Sequence, residues 1–123
     1  MFLKGIKLAA KTSRSRRSKG SDFQKVIAEK IRDYFGLEER DVVSTPNSQK
    51  GVDVLMSNRA KELFNYSMEL KRQESISMWK WLEQAEANAT DESPPLLIFK
   101  RNRSDVYCCL KFEDFISLFK KEV

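Results

Sequence analysis

Hydrophobic residues change period several times along the chain, and each change marks an element. Phe23, Val26, Ile27, Ile31, Tyr34 and Phe35 recur at three- and four-residue spacing, which predicts a helix with one apolar side. Ser21 can cap its start, with Gln24 three residues on completing a capping box. Gly36 can end it. Asp41 to Ser44 reads as a short strand. A loop with Pro46 and Gly51 follows, then a strand over Val52 to Ser57 and a turn over Asn58 to Lys61. From Phe64 to Lys71 the pattern alternates strictly. Phe64, Tyr66, Met68 and Leu70 share one face, and Asn65, Ser67, Glu69 and Lys71 the other.

Ser77 to Thr90 returns to helical spacing, with Met78, Trp81, Leu82, Ala85 and Ala89 on its stripe, and Pro94 and Pro95 stop it. Leu96 to Lys100 and Val106 to Lys111 form a predicted hairpin around Asn102 to Asp105. A closing helix over Phe112 to Lys121 is expected to turn Phe112, Phe115, Ile116 and Phe119 inward. The order is αβββαββα, an α/β class sandwich around a central mixed β-sheet flanked by helices.

Length and composition set bounds on this picture. The 123 residues suit one domain with a modest core. A formal charge of +5 favours an anionic partner, nucleic acid before a membrane surface. No run of apolar residues approaches a bilayer span. Histidine is absent, which removes imidazole acid–base catalysis and histidine zinc sites. Cys108 and Cys109 are adjacent on a strand and point to opposite faces, so they are expected as buried packing residues in a reducing compartment.

The basic charge is uneven. Residues 1–20 carry Arg14, Arg16, Arg17 and Lys19 with no acid before Asp22. They read as a flexible DNA-contacting arm ahead of a domain over residues 21–123, in preference to a presequence. Lys50 could add a phosphate contact. Lys100, Arg101 and Arg103 fit either a phosphate contact or a solvated turn. Trp81 is expected in the core; Trp79 falls off the stripe, where a dimer contact competes with base stacking.

Chemistry concentrates in Asp53 and Glu69-Leu70-Lys71. An acid at the start of one strand and Glu-x-Lys near the end of the next can gather two carboxylates and one ammonium. Mg²⁺ takes hard oxygen ligands, commonly one or two carboxylates completed by water and phosphate. Asp53 and Glu69 supply such carboxylates, and the Leu70 carbonyl can add a third oxygen. Lys71 can orient or deprotonate water or stabilise charge on a phosphate.

These residues and their surroundings resemble the archaeal-type Holliday junction resolvases of the PD-(D/E)xK nuclease superfamily, over roughly residues 17 to 115. The matching stretches are Arg17-Ser18-Lys19-Gly20-Ser21, Gly51-Val52-Asp53, Met68-Glu69-Leu70-Lys71, Leu82-Glu83-Gln84-Ala85-Glu86 and Lys111-Phe112-Glu113-Asp114-Phe115. The resemblance implies a restriction-endonuclease-like core and a site in which Asp53 and Glu69 bind Mg²⁺ (Mn²⁺ substituting) and Lys71 is catalytic. Ser48 would lie near the scissile phosphate, and Gln84 would support the site from its helix. It further implies a cytoplasmic homodimer, from an archaeal, bacterial or virus-infected cell, that cuts four-way DNA junctions in pairs.

Two positions depart from the family. Val52 stands where proline is common. Gln24 stands where the family carries a glutamate three residues after the serine of Lys-Gly-Ser. Gln24 is then a weak metal ligand, a capping residue only, or an engineered change, or else Glu29 takes its place. Glu29 lies about 140° round the helix from Gln24 and fits a solvated position better. The competing functions are another PD-(D/E)xK nuclease of restriction or repair type, and a catalytically weakened DNA-binding protein.

Overall fold

Ser13–Phe35 form a single helix, α1, in a computed structural model that describes residues 13–45 and 52–119, with side chains from residue 19. The helix passes through Gly20 without a break. The predicted start at Ser21 is thus corrected, and with it the capping box. Ser21 and Gln24 lie well inside a helix, where the backbone N–H groups already have partners four residues back. The C-terminal end matches the expectation. Gly36 adopts a left-handed φ of 65°, and Leu37 N donates to Arg32 O at 2.8 Å, closing the last turn.

A short 3₁₀ turn, Glu39–Asp41, leads into β1, Val42–Ser44, which pairs antiparallel with β2, Val54–Met56. The expected turn after β2 is instead a helix, α2, over Asn58–Leu63. Ser57 caps it, its Oγ accepting from Ala60 N at 3.1 Å and donating to Asp41 Oδ1 at 2.7 Å. β3, Ser67–Arg72, runs parallel to β4, Pro95–Lys100, and β5, Tyr107–Cys109, is antiparallel to β4. Between β3 and β4 lies α3, Met78–Ala87, and after β5 comes α4, Phe112–Ser117. The architecture is α/β, with a mixed sheet flanked by helices, consistent with a restriction-endonuclease-like core.

The core lies between α1 and the strands. Phe23, Ile27 and Ile31 of α1 meet Val42, Val54, Met68, Leu70, Leu96 and Ile98. On the other side Trp81 and Ala85 of α3 are buried, as their stripe predicts, and Trp79 is exposed. β3 therefore carries cover on both sides, and its alternation does not divide a packed face from a wet one. Ser67 and Glu69 are buried along with Met68 and Leu70. Two expectations fail at the far edge. The stripe of α4 points to solvent, with no residue of that helix buried. Cys108 is exposed and Cys109 half-buried. Both follow from β5 being an edge strand with nothing described beyond it. Among the described residues, no helix is long and apolar enough to cross a membrane.

Candidate active site

Asp53 joins the two sheets. Its backbone N–H donates to Met68 O at 3.1 Å, and its Oδ2 accepts from Leu70 N at 2.6 Å. These bonds dock the residue before β2 against the open edge of β3. A strand's N–H and C=O of one residue leave the same edge, so the Leu70 carbonyl also faces the Asp53 side. Thr45, buried, steadies this arrangement. Its N–H and Oγ1 both donate to Asp53 O, at 3.0 and 3.1 Å, and Oγ1 also lies 3.2 Å from Val52 O. The two ends of the 46–51 segment are thereby tied together.

Glu69 and Lys71 lie two residues apart on β3 and pair, Nζ to Oε2, at 3.5 Å. Both side chains are largely shielded from water. Burial pushes the Glu69 carboxyl up from its ordinary pKa, and the Asp53 charge pushes it further, while Lys71 and the nearby Asn88 amide pull it down. Burial likewise raises Asp53, against the Leu70 N–H and the Lys71 charge, which lower it. Two carboxylates and one ammonium thus share a half-desolvated place, in which Asp53 and Lys71 act on Glu69 and Lys71 acts on Asp53. One cation does not fully offset the two acids, so the cluster is short of positive charge when both are ionised.

The other expected residues divide. Gln24 is buried at 6% exposure on α1, which packs across β1 and β3, and its Oε1 has no hydrogen-bond partner. An orphaned buried carbonyl oxygen costs free energy unless something meets it, and it is the hard oxygen that a divalent cation of this class accepts. Asp53 and Glu69 are carboxylate donors of the kind that Mg²⁺ takes. Among the described residues there is no group of three or more Asp, Glu, His or Cys placed to hold a metal. Glu29 is exposed. Gln84 is exposed on α3, and its carbonyl accepts from Asn88 Nδ2 at 3.3 Å. Asn88, the residue that closes α3, lowers the Glu69 carboxyl through its side chain. Lys19 is half-buried at the start of the described side chains. Arg14, Arg16 and Arg17 lie on α1, with side chains outside the described set. Ser48 and Lys50 lie outside the described residues altogether.

Sequence reasoning missed Thr45, Asn88 and Arg72. Arg72 follows Lys71, sits opposite Lys100 across the sheet, and donates from Nη2 to Asn102 Oδ1 at 3.3 Å. None belongs to a motif. Each is found only when the loops and helix ends fold back on β3.

No curated protein and no solved structure matches the chain. A family model does, over residues 15–122, a span that includes Asp53, Glu69, Lys71 and the helices on both sides of them. The chain belongs to the family described as phage putative PDDEXK endonuclease, a PD-(D/E)xK superfamily nuclease domain spanning most of its length.

Proposed function

We propose that the protein is a divalent-metal-dependent DNA endonuclease whose phosphodiester-cutting site is Asp53, Glu69 and Lys71. The observation that carries this reading is the convergence of two mutually repelling, partly buried carboxylates with a lysine 3.5 Å from one of them. Asp53 and Glu69 would hold the metal, with the Leu70 carbonyl and Gln24 Oε1 as neutral oxygens. When bound, Mg²⁺ supplies positive charge for the phosphate oxygens and acidifies a water. Asp53 is held in place by the Leu70 N–H, so its carboxylate is oriented before substrate arrives. Lys71, shielded by the sheet and helix, stabilises negative charge developing on the phosphate or holds the attacking water. Ser48, Lys50 and the arm residues Arg14, Arg16, Arg17 and Lys19 are assigned to phosphate contact, and Gln84 to outer support.

Within that class, the likeness to junction resolvases favours branched DNA in the cytoplasm as substrate and a homodimer as the working form. A two-fold dimer matches the approximate symmetry of a four-way junction and places two sites for paired cuts. A second reading is a weakened nuclease that chiefly binds DNA: by the resemblance Gln24 stands where the family carries a glutamate, and no three acids gather among the described residues to hold a metal.

One assay separates these readings. With Mg²⁺, paired nicks in a four-way junction and little cutting of linear duplex support the resolvase reading; equal cutting of both sinks it and leaves the general nuclease. Asp53→Asn should lower cutting by at least about a hundredfold while DNA binding persists. Binding with no metal-dependent cutting of any DNA would establish the weakened form.

A further inference from the structure

β3 continues one residue past Lys71, to Arg72. Successive residues of a strand face opposite ways, so Arg72 lies on the face of Met68 and Leu70, which packs against α1. Its Cα partner across the parallel pair is Lys100, the last residue of β4. Two half-buried cations therefore stand side by side where both strands end. Like charges set opposite each other in a sheet repel. Among the described residues neither pairs with a carboxylate.

The Arg72 guanidinium is also under-bonded. Its Nη2 reaches Asn102 Oδ1 only at 3.3 Å, and its Nε is buried with no acceptor among the described residues. A buried N–H without an acceptor costs free energy until one is supplied. The planar fork of a guanidinium suits a phosphate.

More positive charge gathers at this end. The turn after β4 exposes Arg101 and Arg103, and Arg103 takes a left-handed φ of 61°. The acids here are Asp105 and Glu74, and the Glu74 carboxylate accepts from Asn102 N at 2.7 Å. α1 starts at the same end. Its last residue, Phe35, meets Phe64 at 5.7 Å between ring centroids, and Phe64 meets Tyr66 at 5.0 Å, just before β3 begins. α1 thus runs against β3. At about 1.5 Å per residue it spans about 35 Å, against about 20 Å for β3. Its first turns, which hold Arg14, Arg16 and Arg17, reach past the end marked by Arg72.

We propose that Arg72 and Lys100 form a phosphate subsite for the DNA backbone, one residue along β3 from Lys71 and on the opposite face. DNA crossing the end of the sheet then meets two holds, Lys71 on one face and the Arg72–Lys100 pair on the other. A phosphate between Arg72 and Lys100 relieves their repulsion and gives the guanidinium the acceptor it lacks. The subsite rests on the reading of the neighbouring residues as a DNA-cutting site.

Binding of a fluorescent four-way junction, followed by anisotropy over a range of salt without divalent metal, tests it. Arg72→Gln and Lys100→Gln should each weaken binding about five- to tenfold at 0.1 M salt and lower the slope of log K against log salt by roughly 0.9. Arg72→Lys should keep most of the slope. Asn102→Ala, which frees the turn and leaves the charges, should keep all of it, as should Lys61→Gln on α2. Lys100→Gln carries the expectation by itself should Arg72→Gln disturb folding. A slope unchanged by both glutamine variants in a wild type that binds DNA overturns the subsite and leaves the nuclease reading standing. Equal losses from Asn102→Ala and Arg72→Gln also overturn it, because Arg72 then only ties down the turn. A wild type that binds no DNA at any salt removes the DNA reading and the subsite with it.

Discussion

Glu69 is pulled in two directions. Burial and the neighbouring Asp53 favour its neutral form, and Lys71 favours its charged form. Lys71→Met removes the main opposing charge, so the Glu69 carboxyl should titrate still higher, read by carboxyl NMR titration; an unchanged titration would show that the 3.5 Å pair does not couple the two groups. Asp53 and Glu69 are both raised above their ordinary values, so between those values and the folded ones the folded chain holds more protons than the unfolded chain. Their contribution to stability is full below the ordinary values and is lost as pH rises through the folded values. At neutral pH the pair therefore opposes folding. Asp53→Asn, which keeps an acceptor for the Leu70 N–H, should raise the metal-free Tm by about 2–4 °C and abolish any Mg²⁺-induced rise. Gln24→Glu should do the reverse, with a lower Tm without metal and a larger rise with Mg²⁺. An equal rise in wild type and variant would mean that position 24 does not meet the metal.

At the scale of elements, α2 and the 3₁₀ turn are held by one small network. Ser57 caps α2 and reaches Asp41, whose Oδ2 also accepts from Glu38 N at 2.9 Å. Those bonds hold the Asp41 carboxyl below its ordinary pKa. The stabilisation is present above the ordinary value and is lost as pH falls through the folded one. Ser57→Ala removes the cap and should cost about 1 kcal/mol in urea unfolding, with a smaller loss of stability on acidification than in the wild type. The sequence hid this helix. Asn58 to Leu63 is too short for periodicity to show, and its start depends on Asp41, sixteen residues earlier. The helix and strand stripes of α1, β3 and α3 were legible because each spans several periods.

For the whole molecule, charge is the first determinant of partner. Replacing Arg14, Arg16, Arg17 and Lys19 by glutamine should weaken DNA binding at low salt and flatten the salt dependence of log K by up to roughly 3.6. A slope unchanged by the four substitutions would remove the arm from the DNA contact. The composition change near Gly20 was plain in the sequence, yet α1 crosses it. A basic run with few apolar residues says what a segment will contact and little about whether it is helical, because lysine and arginine are good helix formers.

By itself the sequence determined the α/β class, the main stripes that build the core and the absence of histidine chemistry, and it singled out Asp53, Glu69 and Lys71 as candidates. These follow from local period and residue type. Tertiary structure alone decided that Glu69 is buried, that Asp53 is locked to Leu70, that Gln24 carries an unpaired oxygen and that the α4 stripe faces outward. An alternating strand reads the same whether one side or both are covered. An apolar helix stripe reads the same whether it meets its own core or is left to solvent. Cover comes from elements distant in sequence, and that is settled only when the chain is packed.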